Sequence, residues 1–456
     1  MVDPTPILPG LSPVGSKPLD VRFDGGVLSS DGGLLLFREV EERLRLADRL
    51  AGCLTDPRDQ ARIDHTLAEI IRFRMLAIVA GYEDGNDCNT LRHDPIFKIA
   101  LGRLPEEGDD LCSQSTVSRL ENLPSRTDLY RMARALVDQY CASFPQVPER
   151  IVLDLDDTFD ATHGAQQLQL FNAHYDEHGF QPIVIFDAGG RLVTAVLRPA
   201  KRPSGREILT LLRRVVGRIR AAWPAVRITL RGDSHYACPE VMDWCESEGH
   251  RYILGLAGTK PLHRRTAALA QSTLDRYVAA RAANPALPAD TKVRRFTEFY
   301  DGAESWSRVR RIVARVEAGS QGADVRFVVT NMATGRGKDL YERTYCARGQ
   351  MENHIKSYKR HLAADRTSCS RSTANQFRLF LHAAAYWLVW ALQATLPRRS
   401  PWRTVQFDTI RLRLIKIAAR VEELKKHVRV RLPTTYPHRP ILRLCVERLP
   451  RLRLLT

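Results

Sequence analysis

The order of predicted strands and helices between residues 150 and 256 restricts the fold of this chain more than any other feature of its sequence. Short apolar runs predict strands, and two amphipathic segments between them predict helices. In chain order these are a strand at 150–158, a hairpin at 181–199 around a Gly-Gly turn, a helix at 205–224, a strand at 226–233, a helix at 239–249 and a strand at 251–256. Strands and helices in this order predict an α/β fold with a mixed sheet.

The flanking regions have a different character. Residues 30–145 carry apolar side chains at helical spacing, and the stretch SSDGGLLLFRE at 29–39 predicts a capped start for the first helix. Residues 257–322 are less regular, with candidate strands at 292–300 and 306–316. A further strand is predicted at 325–331.

The charge of the chain predicts a polyanionic partner. The formal net charge is +17 and the pI is near 9.7, which favours nucleic acid first and an anionic membrane second. Residues 397–456 hold 16 Lys/Arg and 4 Asp/Glu, for a net charge of +12. Apolar residues recur regularly within this stretch, so it is expected to be folded with a basic face.

Nothing in the sequence predicts insertion into a membrane. The longest apolar segment, 377–393, is interrupted by Arg378 and His382, and it predicts a buried helix. The N-terminus lacks the basic-then-apolar order of a signal peptide. The nine cysteines contain no CxxC pair, as in a reduced cytosolic protein. We therefore expect a cytoplasmic, nucleoid-associated protein without a membrane partner.

One cluster carries donor types that suit zinc: His235, Cys238, Cys245 and His250. The gap between the two cysteines is wider than the usual finger spacing. The seven-residue spacing on a predicted helix suits packing instead, so zinc is the less favoured reading.

Carboxylates follow two strands of the predicted sheet. Asp154 and Asp156 alternate along the first strand and therefore point to the same face, and Asp157 follows directly. Asp233 stands at the end of the strand at 226–233. Ligands gather at the carboxyl ends of strands in open α/β sheets, so Asp156 and Asp233 are expected to converge. A cap or turn role is the alternative for each aspartate taken alone.

A third candidate acid lies in the segment YCARGQMENHIKSYK, residues 345–359, which contains no Pro and predicts a helix. On a regular helix five of its side chains share a stripe of about 80°. They are Tyr345, Arg348, Glu352, Lys356 and Lys359. The alternative is a solvated face with Arg–Glu and Glu–Lys pairs one turn apart.

A helix that packs across the sheet would bring Glu352 to Asp156 and Asp233. Three oxygen ligands suit Mg²⁺ or Mn²⁺ rather than zinc. Two such ions stabilise both the attacking and the leaving oxygen in phosphoryl transfer. A basic protein with this site would cut or join the backbone of nucleic acid.

The N-terminal region offers a candidate DNA-binding helix. The stretch SQSTVSRLENL at 113–123 begins with a capping Ser and presents Ser118 and Arg119. It resembles the second helix of a helix-turn-helix. An ordinary capped helix is the alternative.

These motifs together resemble a known family. Residues 345–359 fit the pattern Y-x2-R-x3-E-x6-K, which resembles the signature around the last acid of bacterial insertion-sequence transposases of the DDE type. VLDLDDT resembles the first-acid strand of that family, and LRGDSHYACPEVMDWCESEGHRYILGL resembles its second-acid block. LSSDGGLLLFRE, GYEDGNDCNTLRHDP and SQSTVSRLEN resemble the N-terminal blocks of the insertion-sequence group numbered 1380. The resemblance spans roughly residues 20–395.

The resemblance implies an RNase H-like catalytic core with an insertion between the second Asp and the Glu. It implies that Asp156, Asp233 and Glu352 are catalytic metal ligands. The family's D-x-T context selects Asp156 with Thr158, while Asp154 and Asp157 remain open as the first acid. Tyr345, Arg348 and the neighbouring lysines Lys356 and Lys359 are then expected to hold DNA phosphates.

The predicted function is cut-and-paste transposition by a homodimer on paired element ends, with two Mg²⁺ or Mn²⁺ ions per site. The partners are the double-stranded terminal repeats and the target DNA. A nuclease with the same core that cannot integrate is one alternative, and a domesticated DNA-binding protein with an inactive site is another. The complete set of acids and the intact signature argue against the second.

The predicted organisation has six parts in chain order. They are an arm at 1–20, a helical DNA-binding domain at 21–149, the first part of the core at 150–256, an insertion at 257–322, the second part of the core at 323–395 and a basic region at 396–456.

Overall fold

The computed structural model describes residues 11–452, which form two compact units. Within that range the first unit comprises residues 11–128, 359–364 and 384–452, and the second comprises 129–358 and 365–383. Residues 1–10 of the predicted arm lie outside the described residues, and 11–20 are exposed.

The strands include every one that the sequence predicted between residues 150 and 331, and three short strands between 160 and 180 that it did not predict. In chain order they are β1 (Leu28–Ser29), β2 (Arg150–Asp157), β3 (Asp160–Ala161), β4 (Leu170–Asn172), β5 (Glu177–Phe180), β6 (Ile183–Asp187), β7 (Leu192–Val196), β8 (Arg227–Gly232), β9 (Arg251–Leu256), β10 (Val293–Asp301), β11 (Arg310–Gly319), β12 (Gly322–Thr330), β13 (Ala419–Leu424) and β14 (His427–Arg431).

The α-helices dominate the N-terminal region, as predicted. In chain order they are α1 (Leu34–Leu44), α2 (Leu46–Ala51), α3 (Leu67–Ala80), α4 (Cys88–Leu91), α5 (Pro95–Ala100), α6 (Gln114–Glu121), α7 (Arg126–Ala142), α8 (Gly205–Ala222), α9 (Pro239–Ser247), α10 (Lys260–Ala283), α11 (Gly337–Asp339), α12 (Gly349–Lys356), α13 (Ser372–Thr395), α14 (Phe407–Ile410) and α15 (Arg439–Arg448).

The second unit is built on an eight-stranded mixed sheet with the order β10-β11-β12-β9-β8-β2-β6-β7. Strands β2, β8 and β9 run parallel, β6 is antiparallel to β2, and β7 is antiparallel to β6. Numbered within this group, the five strands from β7 to β9 have the order 3-2-1-4-5, with the second strand antiparallel to the first. This is the RNase H-like arrangement, so the predicted fold class is confirmed.

The region before the last candidate acid continues the same sheet. Strand β12 pairs with β9 through Phe327–Thr330, and β11 and β10 follow in antiparallel order, which confirms the predicted strands. The sequence analysis missed helix α10, which has 24 residues. Its buried positions are Leu262, Thr266, Thr273 and Tyr277. Two of these buried residues are threonines, so the spacing of apolar residues alone does not show the helical period.

Helix α8 begins where the sequence predicted because its first turn is capped. The Glu207 backbone N–H donates to Ser204 Oγ at 3.3 Å, and the Ser204 backbone N–H donates to Glu207 Oε2 at 2.8 Å. This reciprocal pair satisfies two donors that the first turn of a helix leaves without partners.

In the first unit, β1 pairs with β13, and β13 pairs with β14. The basic C-terminal region is folded, as its apolar pattern predicted, with Leu414 and Ile415 fully buried. The capped start predicted for α1 is wrong, because Gly33 occupies the N-cap position and no side chain caps the helix. The backbone N–H groups of Gly32 and Gly33 donate instead to the carbonyls of Ile417 and Ile415, at 2.8 and 3.1 Å.

Helix α13 is a buried helix over its apolar length, as predicted for residues 377–393. Among the described residues, no helix combines the length and the apolar character that crossing a bilayer requires.

The contact at Gly33 generates a stability prediction. A Cβ at this position would lie 1.6 Å from the Leu414 carbonyl oxygen, so the backbone of one segment would have to move. We expect Gly33→Ala to lower the free energy of unfolding by about 3 kcal/mol, the upper range for an overpacked site. Gly217 lies exposed within α8 with nothing within 4 Å of its ideal Cβ.

Gly217→Ala is therefore a matched control, and it should raise stability by about 0.5–1 kcal/mol through its higher helix propensity. Urea denaturation of both variants measures the difference. A stability of Gly33→Ala equal to that of the wild type would contradict the close approach.

Candidate active site

The pairing register of β2 and β8 brings two of the predicted acids together. The parallel strands are aligned so that Leu155 pairs with Gly232. The next residues along the two strands are Asp156 and Asp233, so both carboxylates stand at the same carboxyl edge of the sheet. Their proximity shows in electrostatics, because the Asp233 carboxylate raises the pKa of Asp156. The predicted convergence of the two strand ends is therefore present in the structure.

Asp154, two residues earlier, is engaged in a different interaction. Its two carboxylate oxygens accept hydrogen bonds from Arg231 Nε and Nη2 at 2.5 and 2.6 Å, and both side chains are about 95% buried. Arg231 also donates from Nη1 to the Thr344 carbonyl at 2.8 Å. The pair therefore fastens the start of the predicted signature segment to the sheet, and it occupies both oxygens of Asp154.

Asp156 is surrounded by charges of both signs. Its Oδ2 accepts a hydrogen bond from Arg348 Nη2 at 2.8 Å, and only 15% of its side chain is exposed. The pKa of Asp156 is raised to about 7, chiefly by burial; Arg348 opposes the rise, and Asp233 and Asp157 add to it. Burial is therefore the main reason that the charged form of Asp156 is disfavoured.

Asp157 belongs to a compact group with Asp233 and His235. One ligand atom from each residue lies within 4.8 Å of the others. His235 Nδ1 is 3.3 Å from Asp157 Oδ1 and 4.0 Å from Asp233 Oδ2. The buried Tyr236 hydroxyl also donates to Asp157, at 3.4 Å, and so does the Gln181 side-chain amide. Asp157, Asp233 and His235 therefore form a candidate metal-binding group.

The signature segment is helical but irregular. Residues Leu340–Tyr345 form a π-helix, Cys346–Arg348 a 3₁₀ turn, and Ser357–His361 another π-helix after α12. The predicted stripe assumed a regular α-helix, and this spacing does not hold over the whole segment because its turns have different widths.

Tyr345 and Arg348 lie at the acid cluster. A Cβ on Gly255 would lie 2.7 Å from the Tyr345 hydroxyl oxygen, so the phenol packs directly on the β9 backbone. Burial raises the pKa of Tyr345, Arg348 lowers it, and Asp233 raises it again. Arg348 is 14% exposed, and its Nε is buried with no hydrogen-bond partner among the described residues. Both side chains therefore stand beside Asp156 and Asp233.

Glu352 is exposed on α12, one helical turn beyond Arg348. Arg348 ends a 3₁₀ turn and Glu352 lies within α12, so the two residues belong to turns of different width. Among residues 11–452, Glu352 is not part of the group that Asp157, Asp233 and His235 form. Helix α12 rests on the β6–β7 hairpin: the ring of His354 lies 5.6 Å from that of Phe186, and a Cβ at Gly190 would meet it.

The other predicted DNA-binding residues occupy different surroundings. Lys356 is exposed on α12, and Lys359 is half-buried and belongs to the first unit. Ser118 is half-buried on α6, and Arg119 is exposed and donates to Thr116 Oγ1 at 2.9 Å. Arg119 also lines a cavity of about 270 Å³ with other side chains of the first unit, which include Arg58, Arg62 and His65.

Sequence reasoning considered His235 only as a zinc ligand. In the described part of the chain, His235 forms a potential metal group with Asp157 and Asp233, and its former companions Cys238, Cys245 and His250 take no part in such a group. The signal was available, because His235 follows Asp233 by two residues at a strand end. Arg231, which positions the signature segment, carried no comparable signal: a cation within an apolar strand gives no indication of its partner.

The donor set fits a hard divalent cation. Carboxylate oxygens are the preferred ligands of Mg²⁺ and Mn²⁺, and the imidazole of His235 is more suitable for Mn²⁺ than for Mg²⁺. Burial is the main cause of the raised pKa of Asp156, and Asp233 and Asp157 add to it; a bound cation would offset this repulsion between carboxylates. Asp156, Asp157, Asp233 and His235 can therefore supply ligands, with Glu352 one turn from Arg348.

Comparisons with known proteins identify the family of the chain. The family described as transposase DDE domain group 1 matches residues 11–454. A cryo-EM structure of a piggyBac transposase synaptic complex with hairpin DNA is similar over 92% of this chain and 85% of its own, with 10% sequence identity and a TM-score of 0.38. No curated protein matches the chain. The family match covers nearly the whole sequence, and the chain belongs to the DDE transposase family.

Proposed function

We propose that this transposase cuts the ends of a bacterial insertion sequence and joins the freed 3′-OH to target DNA, in a cut-and-paste reaction. The single observation that supports this most strongly is the meeting of Asp156 and Asp233 with Arg348 at one sheet edge of a chain with net charge +17. The Y-x2-R-x3-E-x6-K pattern supports membership of the insertion-sequence group numbered 1380.

DDE transposases use divalent metal ions. We propose Asp156, Asp233 and Glu352 as the ligands of two Mg²⁺ or Mn²⁺ ions, with Asp157 as the competing first acid. Bound in pairs, such ions stabilise the attacking and the leaving oxygen of a phosphate displacement. The work of this chain's own residues is then to position the DNA strand and to neutralise the charge of its phosphates.

Arg348 is the residue best placed for that work. Its Nη2 donates to Asp156 while its buried Nε has no hydrogen-bond partner among the described residues. The guanidinium stays ionised, because Asp156 and Asp233 raise the pKa of Arg348 against the effect of burial. A phosphate oxygen at the acid cluster would satisfy the Nε donor, and a guanidinium can bind a phosphate through two parallel hydrogen bonds.

The remaining predicted residues form the rest of the proposed DNA surface. Tyr345, Lys356 and Lys359 would bind the element end, and Ser118 and Arg119 on α6 would also bind DNA, within a helical DNA-binding region at 21–149. Cut-and-paste chemistry needs both ends of an element, so we propose a homodimer on paired ends as the working form. The basic C-terminal region would add phosphate contacts independent of sequence.

A nuclease that cannot integrate would share every acid of this site. The two functions are distinguished by supplying a precut, labelled terminal repeat, read from the DNA that flanks the gene, together with a circular target and Mg²⁺. Transfer of the label into the target supports the transposase. Cleavage of uncut ends without any transfer would establish the nuclease instead.

The assignment of the first acid generates a prediction. Asp156→Asn should abolish end cleavage with stability at pH 7 near that of the wild type, because it removes a carboxylate that burial already keeps from ionising fully. Asp154→Asn should instead lower the free energy of unfolding by about 3–5 kcal/mol, because it leaves the Arg231 guanidinium buried without its counter-charge.

Asp157→Asn is the third member of this series. Cleavage assays and urea denaturation of the three variants separate the roles. Cutting that survives in Asp156→Asn and is lost in Asp157→Asn would transfer the role of first acid to Asp157.

The position of Arg348 generates a second prediction. Arg348→Gln should reduce strand transfer of a precut end by about 10²-fold or more while the protein stays folded, since removal of one preorganised donor at a reacting centre has an effect of this size. Arg348→Lys should also be impaired because an ammonium cannot form the two parallel bonds. Glu342→Gln, on the exposed side of the same segment, serves as the control. Full activity of Arg348→Gln would reduce this side chain to a structural partner of Asp156.

The C-terminal region generates a third prediction. Its deletion would remove the partner strand of β1, so substitutions are the sharper test. Lys425 and Lys426 are exposed at the turn between β13 and β14. If both neutralise phosphates, the double substitution to Gln should reduce the slope of log K against log salt by about 1.8, at about 0.9 per phosphate contact. The double substitution to Arg keeps the charge and should keep the slope. An unchanged slope in the Gln variant would show that this turn does not touch DNA.

A further inference from the structure

The segment that follows the acids of β2 carries exposed aromatic and aliphatic side chains. Residues 159–180 leave the sheet after β2 and form a small sheet of their own, with the order β3-β5-β4; we call them the flap. Four large apolar side chains of the flap are substantially exposed, by 41–55%: Leu168, Leu170, Phe171 and Tyr175. Exposed apolar side chains grouped on one short segment make the flap a candidate binding surface.

The flap is fastened next to the catalytic edge. The Thr158 N–H donates to the Pro182 carbonyl at 3.1 Å, and the Gln181 side chain bonds Asp157, so both ends of the flap start from the acid cluster. Phe159 follows Asp156 by three residues, which is about 10 Å of extended chain at most. The base of the flap therefore lies within a few nucleotide lengths of the candidate metal ligands.

Tyr175 is held in a fixed orientation by Phe159. The two rings are parallel within 9° and their centroids are 4.3 Å apart, and His174 contacts the Tyr175 ring edge-on at 4.8 Å. Phe159 is 8% exposed, whereas Tyr175 is 49% exposed. One face of the phenol is thus covered and the ring is rigid, while a large part of it stays available to a partner.

The composition of the flap indicates which part of a nucleic acid it would contact. Residues 159–180 contain no Lys or Arg, and Asp176 and Glu177 are exposed, so the flap offers no neutralisation to phosphates. Aromatic rings stack on any nucleobase regardless of sequence, because every base has a π-face. A base can reach such a ring only when it is unpaired or turned out of the duplex.

We propose that Tyr175, backed by Phe159, stacks against an unpaired nucleobase at the DNA end whose phosphate occupies the acid cluster. This inference rests on the proposed function, since it requires a DNA end at that edge. Stacking on Tyr175 would hold the end nucleotide out of the duplex and keep the adjacent strand in place beside Asp156 and Asp233. Tyr175 is a positioning residue in this scheme and takes no part in proton or phosphate transfer.

The test uses the full chain and a precut terminal-repeat duplex in EDTA, with 2-aminopurine at each of the last four positions in turn. Stacking on an aromatic ring quenches the fluorescence of this base. We expect wild-type protein to quench at one or more end positions, Tyr175→Phe to do the same, and Tyr175→Ala to lose the quenching. Tyr175→Ala should also bind the end about 5- to 150-fold more weakly, with the same salt slope as the wild type.

Tyr300→Ala is the matched control. Tyr300 is 62% exposed on β10, an edge strand that four strands separate from β2 in the same sheet, or about 24 Å. This variant should quench and bind like the wild type. Circular dichroism of each variant confirms that the fold is intact.

Three outcomes would overturn the inference. They are equal quenching by wild type and Tyr175→Ala, absence of quenching by the wild type at all four positions, and a shift of Tyr175→Ala from dimer to monomer in sedimentation without a change in fluorescence. The last would identify the flap as a contact with a second copy of the chain. Strand transfer on the same DNA separates the two proposals. If strand transfer is normal and Tyr175→Ala does not change the fluorescence, the stacking is rejected and the proposed function stands. If the wild type transfers no strand but Tyr175→Ala loses the quenching, the stacking is supported and the proposed function is rejected.

Discussion

The parallel register of β2 and β8 is the constraint on which the active site depends. Pairing of Leu155 with Gly232 fixes the two strand ends at the same height, and the residues that follow are both aspartates. A shift by one residue would turn each side chain to the opposite face of the sheet. The buried flanks of these strands, with Leu153, Leu155 and Leu230 almost fully buried, resist such a shift. Apolar packing thereby determines where the polar chemistry occurs.

Two arginines with different roles bind the aspartates of β2. Arg231 donates two hydrogen bonds to Asp154 and a third to the Thr344 carbonyl. These three bonds hold a helical segment against the sheet. Arg348 makes one bond to Asp156 and keeps a buried donor without a partner in the described structure. The first arginine resembles a completed core interaction. The second resembles a donor positioned for a ligand, such as the phosphate oxygen proposed above.

Much of the catalytic unit could be predicted from the sequence because it depends on local patterns. Period-two and apolar runs identified the strands, and the positions of Asp156 and Asp233 at strand ends followed from them. The signature around Glu352 suggested a common site, but the uneven width of its helical turns could not be read from residue spacing. The surroundings of Asp157 were equally hidden, because its partners Gln181, His235 and Tyr236 come from two other segments.

The features that sequence reasoning missed share a physical cause. Gly33 approaches the Leu414 carbonyl across most of the length of the chain, and no local pattern reports such a contact. Helix α10 buries threonines where an apolar reading looks for leucines. In both places the residue type is determined by contacts with a segment distant in the sequence, and a single sequence does not reveal those contacts.

The discontinuity of the first unit affects how the protein is made. Strand β1 finds its partner only in β13, which the ribosome adds after the whole RNase H-like core has emerged. Domains fold as units during synthesis, and the N-terminal part comes first in most chains. Until β13 is made, β1 has no partner strand and the backbone N–H groups of Gly32 and Gly33 lack their acceptors. The catalytic unit already has all of its strands at that stage. A nascent chain would therefore contain the assembled catalytic sheet before its first unit is complete, and that unit can be completed only after β13 has been synthesised.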